Sequence, residues 1–200
     1  MKNILFIGLF LLATSCTKIL IRANGYKPPR FQSVESINNF VSRHTIDRKK
    51  IVLLKDSFEL NKTLHLFSNS PGIIIADSNF ARLQFQSKKE NCAAPVENLL
   101  MHLCEISSNE VFHKDTNLIA LRKIIENNEN YIQPLNASHY VMVVWNTSMG
   151  KNITKVKDWE SIVNKQANCN DQFIWINVDF RASWYKAKAG KRIHYKVERK

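Results

Sequence analysis

The chain has 200 residues, and 44% of them are apolar, so it is long enough to form one domain with a hydrophobic core. It contains only five glycines and five prolines, which excludes a collagen-like chain and argues against a disordered one. The formal net charge is +12, and residues 181–200 hold eight basic residues against a single glutamate. Much of the positive charge is therefore concentrated at the C-terminal end.

The N-terminal residues have the pattern of an export signal. Lys2 is followed by nine apolar residues at 4–12, too few to span a bilayer as a helix, so residues 1–15 are predicted to be a signal peptide. Small residues at 13–15 precede Cys16. This arrangement resembles the lipobox of bacterial lipoproteins, which implies cleavage before Cys16 and attachment of lipid to that residue. An ordinary secreted protein with Cys16 near its cleavage site is the alternative.

The next part of the chain is predicted to form a tether, a helix and a strand. Residues 16–30 are predicted to be a tether with two consecutive prolines near its end. Residues 31–44 place apolar side chains at helical spacing, with Ser33 as the N-cap. Residues 51–54 predict a short strand, and residues 58–67 are compatible with either a helical turn or a loop.

The middle of the chain predicts a β-hairpin followed by two helices. Residues 73–76 form an apolar run typical of a buried strand, and a polar turn after them leads into a second strand. A helix with Pro95 in its first turn follows. Another helix is predicted to run to residue 127 from a cap at Asp115 or Thr116.

Residues 139–180 are predicted to form the structural centre of the fold. Residues 139–145 are an apolar run rich in β-branched and aromatic side chains, and residues 172–180 form a second such run. Residues 153–168 between them place apolar side chains at helical spacing. Two buried strands joined by an amphipathic helix form a βαβ unit with parallel strands. Together with the hairpin, this unit predicts an α/β fold with additional helices and a mixed sheet.

The βαβ unit resembles the core of thioredoxin-like proteins. Val143, Val144 and Trp145 end the first strand, a small polar loop and an amphipathic helix follow, and the second strand ends with Val178 and Asp179. The unit is most similar to the exported redoxins of the TlpA/ResA type that are common in Bacteroidetes. In that family the strand ends in a tryptophan, and a Trp-Cys-x-x-Cys motif opens the helix. The resemblance implies a thioredoxin-like fold with its redox motif in the loop after the first strand.

The four positions that align with the redox motif contain no cysteine. Aligned on Trp145, they hold Met149, Gly150, Lys151 and Asn152. Catalysis in the family needs a thiolate with a lowered pKa and a second thiol that resolves the mixed disulfide. A thioether has no ionisable proton, and an amide cannot resolve a disulfide. The loop is therefore predicted to be non-catalytic, with Asn152 as the N-cap of the helix.

Three cysteines remain besides Cys16, and they define the alternative of a thiol-disulfide oxidoreductase that uses non-motif thiols. They are Cys92, Cys104 and Cys169. At most one disulfide can form among them. Cys92 and Cys104 are the nearest pair, but the predicted helix between them separates their Cα atoms. Buried free thiols are the other interpretation.

No further motif predicts catalysis, a metal site or a cofactor. The sequence contains no Gly-x-Ser-x-Gly motif, no P-loop, no dinucleotide-binding fingerprint and no Cys/His cluster with zinc spacing. Asp179 ends a strand at the position where α/β proteins bind ligands, although a turn or cap residue is the simpler interpretation. The sequence thus favours a protein that is not an enzyme.

These observations predict a lipid-anchored binding or accessory module of the cell envelope. Its domain spans residues 31–185, and the lipid on Cys16 is expected to hold it to the outer membrane or the periplasmic face. The basic tail at 186–200 is available for anionic lipid headgroups, with a solvated tail as the alternative. The predicted partners are the lipid bilayer and an unidentified protein, and not nucleic acid, because the chain is exported. An envelope structural protein is a further alternative.

Overall fold

In the computed structural model, the described part of the protein comprises residues 26–68, 70, 72–83, 94–106, 112–166 and 169–193. The predicted signal peptide, the predicted lipidation site Cys16 and Cys92 lie outside it. The described residues form five α-helices and six β-strands. In chain order these are α1 (Val34–Arg43), β1 (Ile51–Leu53), α2 (Ser57–Phe67), β2 (Ile73–Asp77), β3 (Ala81–Leu83), α3 (Ala94–Met101), β4 (Phe112–Lys114), α4 (Thr116–Glu126), β5 (His139–Trp145), α5 (Asn152–Asn164) and β6 (Asp171–Asn177).

The strands form one mixed sheet in the order β1-β6-β5-β2-β3-β4. β1, β6 and β5 run parallel, whereas the remaining neighbours pair antiparallel. The predicted α/β fold with a mixed sheet is confirmed, and the predicted βαβ unit is β5–α5–β6. The hairpin β2–β3 joins the same sheet through β5, although it precedes the βαβ unit in the chain. The architecture is compatible with a thioredoxin-like α/β fold that carries additional elements.

Helices cover both faces of the sheet and create two hydrophobic layers. α1, α3 and α5 pack on one face through buried side chains that include Phe40, Leu100 and Trp159. α2 and α4 pack on the other face, where Leu60 and Leu121 are buried. Because both faces are covered, the central strands are continuous apolar runs and do not alternate with polar residues.

The two central parallel strands, β5 and β6, connect these layers. Their register places Val143 opposite Trp175 and Trp145 opposite Asn177. Both tryptophans enter the layer of α1, α3 and α5, while Met142 enters the opposite layer. Burial of an apolar side chain of this size contributes roughly 1.5–3 kcal/mol. Many such side chains are concentrated in β5 and β6, which explains why residues 139–180 have the clearest apolar pattern in the sequence.

Helix α2 occupies the segment that the sequence left open between a helical turn and a loop. Asp56 Oδ1 accepts hydrogen bonds from the backbone N–H groups of Phe58 and Glu59, both at 2.9 Å. These bonds satisfy two of the N–H groups that have no partner within the helix. Leu60 and Leu66 then bury the inner face of α2. Asp56 is thus a helix cap, and the segment after it is helical.

One strand was not predicted, and one local prediction differs from the structure. Strand β4 was not predicted, because its three residues are half-buried or exposed and carry no apolar pattern. The assignment of Asn152 as the N-cap of α5 is wrong, since Asn152 is the first residue of the helix and Lys151 occupies the cap position. The backbone explains the shift, because the N–H of Asn152 already donates to the carbonyl of Met149 at 3.2 Å.

The described parts of the two terminal segments meet beside the domain. The N–H of Phe31 donates to the carbonyl of Lys191 at 3.0 Å, and the N–H of Gly190 donates to the carbonyl of Phe31 at 2.7 Å. A third bond lies next to these two, since the N–H of Ile193 donates to the carbonyl of Pro29 at 3.1 Å. Main-chain hydrogen bonds therefore join the end of the predicted tether to the start of the predicted basic tail.

Candidate ligand-binding site

The loop of residues 146–151, named here the β5–α5 loop, lies at the C-terminal ends of the parallel strands. It contains three of the positions that align with the redox motif, and the fourth begins α5. In α/β sheets this end of the parallel strands is where ligands bind. The N-terminal segment passes alongside, with the N–H of Lys27 donating to the carbonyl of Ser148 at 3.3 Å.

Trp145 and Met149 belong to the hydrophobic core. The side chain of Trp145 is completely buried, with 0% exposed. Its ring stacks on Phe40 with the centroids 5.5 Å apart and meets the edge of Trp175 at 6.4 Å. Met149 packs against the same layer. These two predicted site residues therefore contribute to the packing of that layer, and neither is among the residues that line the cavity described below.

Gly150, Lys151 and Asn152 lie at the surface of the loop. Gly150 has a φ of 58°, a left-handed conformation that glycine adopts without strain, and it turns the chain into α5. The side-chain amide of Asn152 donates a hydrogen bond to the hydroxyl of Tyr26. Within the described structure, the N–H groups of Gly150 and Lys151 have no hydrogen-bond partner. The loop therefore presents backbone N–H donors at its surface.

Asp179 fixes the β5–α5 loop to the end of β6. Only 4% of the residue is exposed. Its carboxylate accepts hydrogen bonds from Thr147 N at 3.0 Å, from Thr147 Oγ1 at 2.9 Å and from Asn177 Nδ2 at 2.9 Å. Burial raises the pKa of Asp179, and the hydrogen bonds from Asn177 and Thr147 partly oppose that rise. The carboxylate is thus directed at the loop, as expected for a turn residue.

A cavity of about 430 Å³ opens between the β5–α5 loop, the start of α5 and one face of α1. Its volume suits a small molecule. Three cationic side chains and a histidine line it, and none of its described lining residues is acidic. The lining comprises Lys27, Gln32, Ser36, Phe40, Arg43, His44, Thr147, Gly150, Lys151, Ile153 and Thr154.

Protein carboxylates do not neutralise the positive charge of this cavity. Across the described ranges, Lys27, Arg43 and Lys151 take part in no ion pair. The pKa of His44 is lowered, first by burial and then by the charges of Arg43 and Lys157. The cationic side chains of Lys27, Arg43 and Lys151 give this surface a positive potential, which attracts anions.

No pattern in the sequence identifies Lys27, Arg43 or His44 as site residues. Lys27 falls in a predicted tether, and the other two end a predicted helix. Helical spacing does place Ser36, Phe40 and Arg43 on one face of α1. No local pattern shows what that face meets, because the β5–α5 loop lies more than one hundred residues further along the chain.

The structure pairs Cys104 with Cys169 in a disulfide, with their Cα atoms 5.9 Å apart. Cys104 is therefore not bonded to Cys92, its nearest neighbour in the sequence, and is not a buried free thiol. Cys169 shortly precedes β6, and the first residues of β5 and β6 pair as His139 with Asp171. The disulfide thus lies at the opposite end of these strands from the β5–α5 loop. It does not restore a redox centre in that loop.

Comparison of the chain with known protein families, with curated proteins and with solved structures finds no match. In the part of the chain that the structure describes, no helix combines the length and the apolar character required to cross a membrane. The cavity and its charges are therefore the main evidence about function.

Proposed function

We propose that the protein is a lipid-anchored, non-catalytic module of the bacterial cell envelope that binds a small anion in the cavity beside the β5–α5 loop. The observation that carries the proposal is the lining of that cavity, which combines three cationic side chains and a histidine without an acidic residue. Export and anchoring rest on the signal-peptide pattern and on Cys16.

The ligand carries a carboxylate or a phosphate group. Arg43 offers a planar guanidinium, which pairs with both oxygens of such groups. Lys27 and Lys151 add compact charges, and the free N–H groups of the β5–α5 loop add donors. Phe40 supplies an apolar surface beside these groups. The combination favours a small organic anion over a bare inorganic ion.

Two features support binding over redox chemistry at this site. The aligned motif positions hold Met149 and Asn152, neither of which can form a mixed disulfide. Met149 also packs against the core and is not among the residues that line the cavity. The thioredoxin-like framework then serves as a rigid support for the loop.

Titration of the isotope-labelled protein with acetate and with inorganic phosphate, followed by NMR, tests this proposal. Binding should raise the pKa of His44, because an adjacent anion stabilises the imidazolium. Arg43→Ala and Lys151→Ala should each weaken binding about fivefold, which corresponds to about 1 kcal/mol for an exposed charge pair. Lys165→Ala is the matched control, since Lys165 is an exposed lysine at the other end of α5.

Unchanged affinity in both cavity variants would exclude the cavity as the anion site. Equal weakening in the Lys165→Ala control would show that only overall charge is sensed. Either result contradicts the proposal.

A thiol-disulfide oxidoreductase that uses Cys104 and Cys169 is the second candidate. Its support is the exposure of Cys104, which leaves the disulfide accessible to a substrate thiol. Reduction followed by timed alkylation separates the two functions. A binding module is expected to show slow, unselective alkylation, whereas one thiol that reacts rapidly at neutral pH would favour the oxidoreductase.

A further inference from the structure

A second cluster of reactive groups lies at the other end of the central strands, away from the anion cavity. The sulfurs of Cys104 and Cys169 and a carboxylate oxygen of Asp171 all lie within 4.8 Å of one another. Cys104 is exposed and Cys169 is half-buried. The cluster therefore combines two sulfur atoms, a carboxylate and a path from solvent.

Asp171 is an unusual neighbour for a disulfide. Its side chain is only 1% exposed, and one oxygen, Oδ1, lies 2.9 Å from Nδ1 of His139. The other oxygen, Oδ2, is buried and has no hydrogen-bond partner within the described structure. A buried carboxylate oxygen without a partner is costly, so its position calls for a ligand.

A second oxygen faces the same sulfur pair. Oε1 of Gln166 lies 2.8 Å from Sγ of Cys104. A disulfide sulfur carries no hydrogen, so it cannot donate to this oxygen. Two side-chain oxygens thus lie near sulfur atoms that have no hydrogen to donate in the oxidised state. A cation held by the reduced sulfurs would give the Asp171 carboxylate a partner.

We propose that the reduced form of this cluster binds a divalent cation of the zinc type through the Cys104 and Cys169 thiolates and the Asp171 carboxylate. Thiolate and carboxylate are established zinc ligands, and three protein ligands leave one coordination position open. His139 Nδ1 lies 2.9 Å from Oδ1 of this carboxylate, and such a contact orients a metal-binding carboxylate. The oxidised form, with its disulfide closed, does not bind the cation.

The Cα separation of the cysteines suits both states. It is 5.9 Å, within the range usual for a disulfide. Two sulfurs bound to one tetrahedral zinc ion lie about 3.8 Å apart, given zinc–sulfur distances of about 2.3 Å. Rotation of the two side chains is therefore sufficient to convert one arrangement into the other.

The conversion needs an external reductant, which we specify as a dithiol. Reduction transfers two electrons and two protons from the dithiol to the disulfide, so the S–S bond breaks, two thiols form and the dithiol becomes a cyclic disulfide. Binding of the cation then displaces the two thiol protons to solvent. Reoxidation by the reverse exchange releases the cation.

The test uses the full chain with Cys16→Ser and Cys92→Ser, so that only the proposed pair of thiols remains. Under anaerobic conditions the reduced protein is titrated with Co²⁺, whose thiolate complexes absorb strongly, and then with Zn²⁺ in competition. We expect one bound cation per chain in the reduced protein, with thiolate–cobalt absorption, and none in the oxidised protein. Asp171→Asn should weaken binding at least about 100-fold, because it removes a charged ligand.

Glu105→Gln is the matched control, since it removes an exposed carboxylate directly next to Cys104. This variant should bind Co²⁺ with an affinity within about twofold of that of the Cys16→Ser/Cys92→Ser protein, as expected for a screened surface charge. Equal losses in the two variants, or no uptake of Co²⁺ after reduction, would overturn the proposal. If Asp171→Asn does not fold, Cys104→Ser and Cys169→Ser replace it, and retention of full affinity by either one contradicts the site.

Discussion

Asp179 is a buried carboxyl group whose environment has two opposing effects on its pKa. Burial favours the protonated form, whereas donors from Thr147 and Asn177 favour the ionised one, and the net effect is a raised pKa. A raised pKa in the folded state means that the protonated form contributes stability, which is complete below the unfolded value of 3.8. That contribution is lost as the pH rises through the folded-state pKa.

The variant Asp179→Asn should reveal this contribution. An amide nitrogen in place of one carboxylate oxygen leaves a donor of Thr147 or Asn177 unpaired, which costs about 1–3 kcal/mol. Because the variant cannot titrate, the stability gap to the wild type should narrow as the pH rises from about 4 to about 8. Urea unfolding across this range measures the gap. Asp158→Asn, at an exposed position of α5, should follow the wild-type curve, and a gap that widens with pH would refute the assignment.

At the scale of elements, the sequence predicted those parts that bury long apolar runs. Strands β2, β5 and β6 have most of their residues buried, and α5 buries one apolar stripe, so each produced a clear pattern. Two helix caps were also predicted correctly, since Ser33 forms a capping box with Ser36 and Asp115 accepts from two backbone N–H groups. Local chemistry was sufficient in these cases because the capping partners lie within four residues.

Features that depend on distant contacts were not predictable from the sequence. The disulfide joins residues 65 positions apart, and the alternative partner Cys92 is much nearer to Cys104. The anion cavity combines Lys27, Arg43 and Lys151, which come from three separate segments. Neither arrangement has a characteristic spacing, because both depend on how α1 and α3 pack on the sheet.

The disulfide connects the segment after α3 to the start of β6, so its removal should destabilise the whole domain. Closing a loop of 65 residues restricts the unfolded chain, and such a link typically contributes about 2–4 kcal/mol. The double variant Cys104→Ser/Cys169→Ser should lose stability by that amount in urea unfolding with a chelator present. Cys92→Ser should unfold like the wild type, and equal stability of the double variant would show that the link contributes nothing.

At the scale of the whole molecule, the described parts of the two terminal segments lie side by side. Pro29 and Ile193 are joined by a main-chain hydrogen bond of 3.1 Å. From Cys16 to Tyr26 the chain reaches at most roughly 36 Å when fully extended. A lipid on Cys16 would therefore keep both the anion cavity and the basic tail close to the bilayer. Anchor and tail are thus predicted to act on one membrane surface.

The variant Lys196→Gln/Arg199→Gln/Lys200→Gln tests the contribution of the tail, in a Cys16→Ser background that removes the predicted lipid. Each basic residue near an anionic surface contributes about 1 kcal/mol, so the triple variant should bind phosphatidylglycerol vesicles about 100-fold more weakly. Cosedimentation measures this binding, which should also weaken with added salt. A matched control replaces Lys62, Lys114 and Lys123, which lie on α2, β4 and α4. If both triple variants bind alike, the tail is a solvated segment, and attachment to the envelope depends on Cys16 alone.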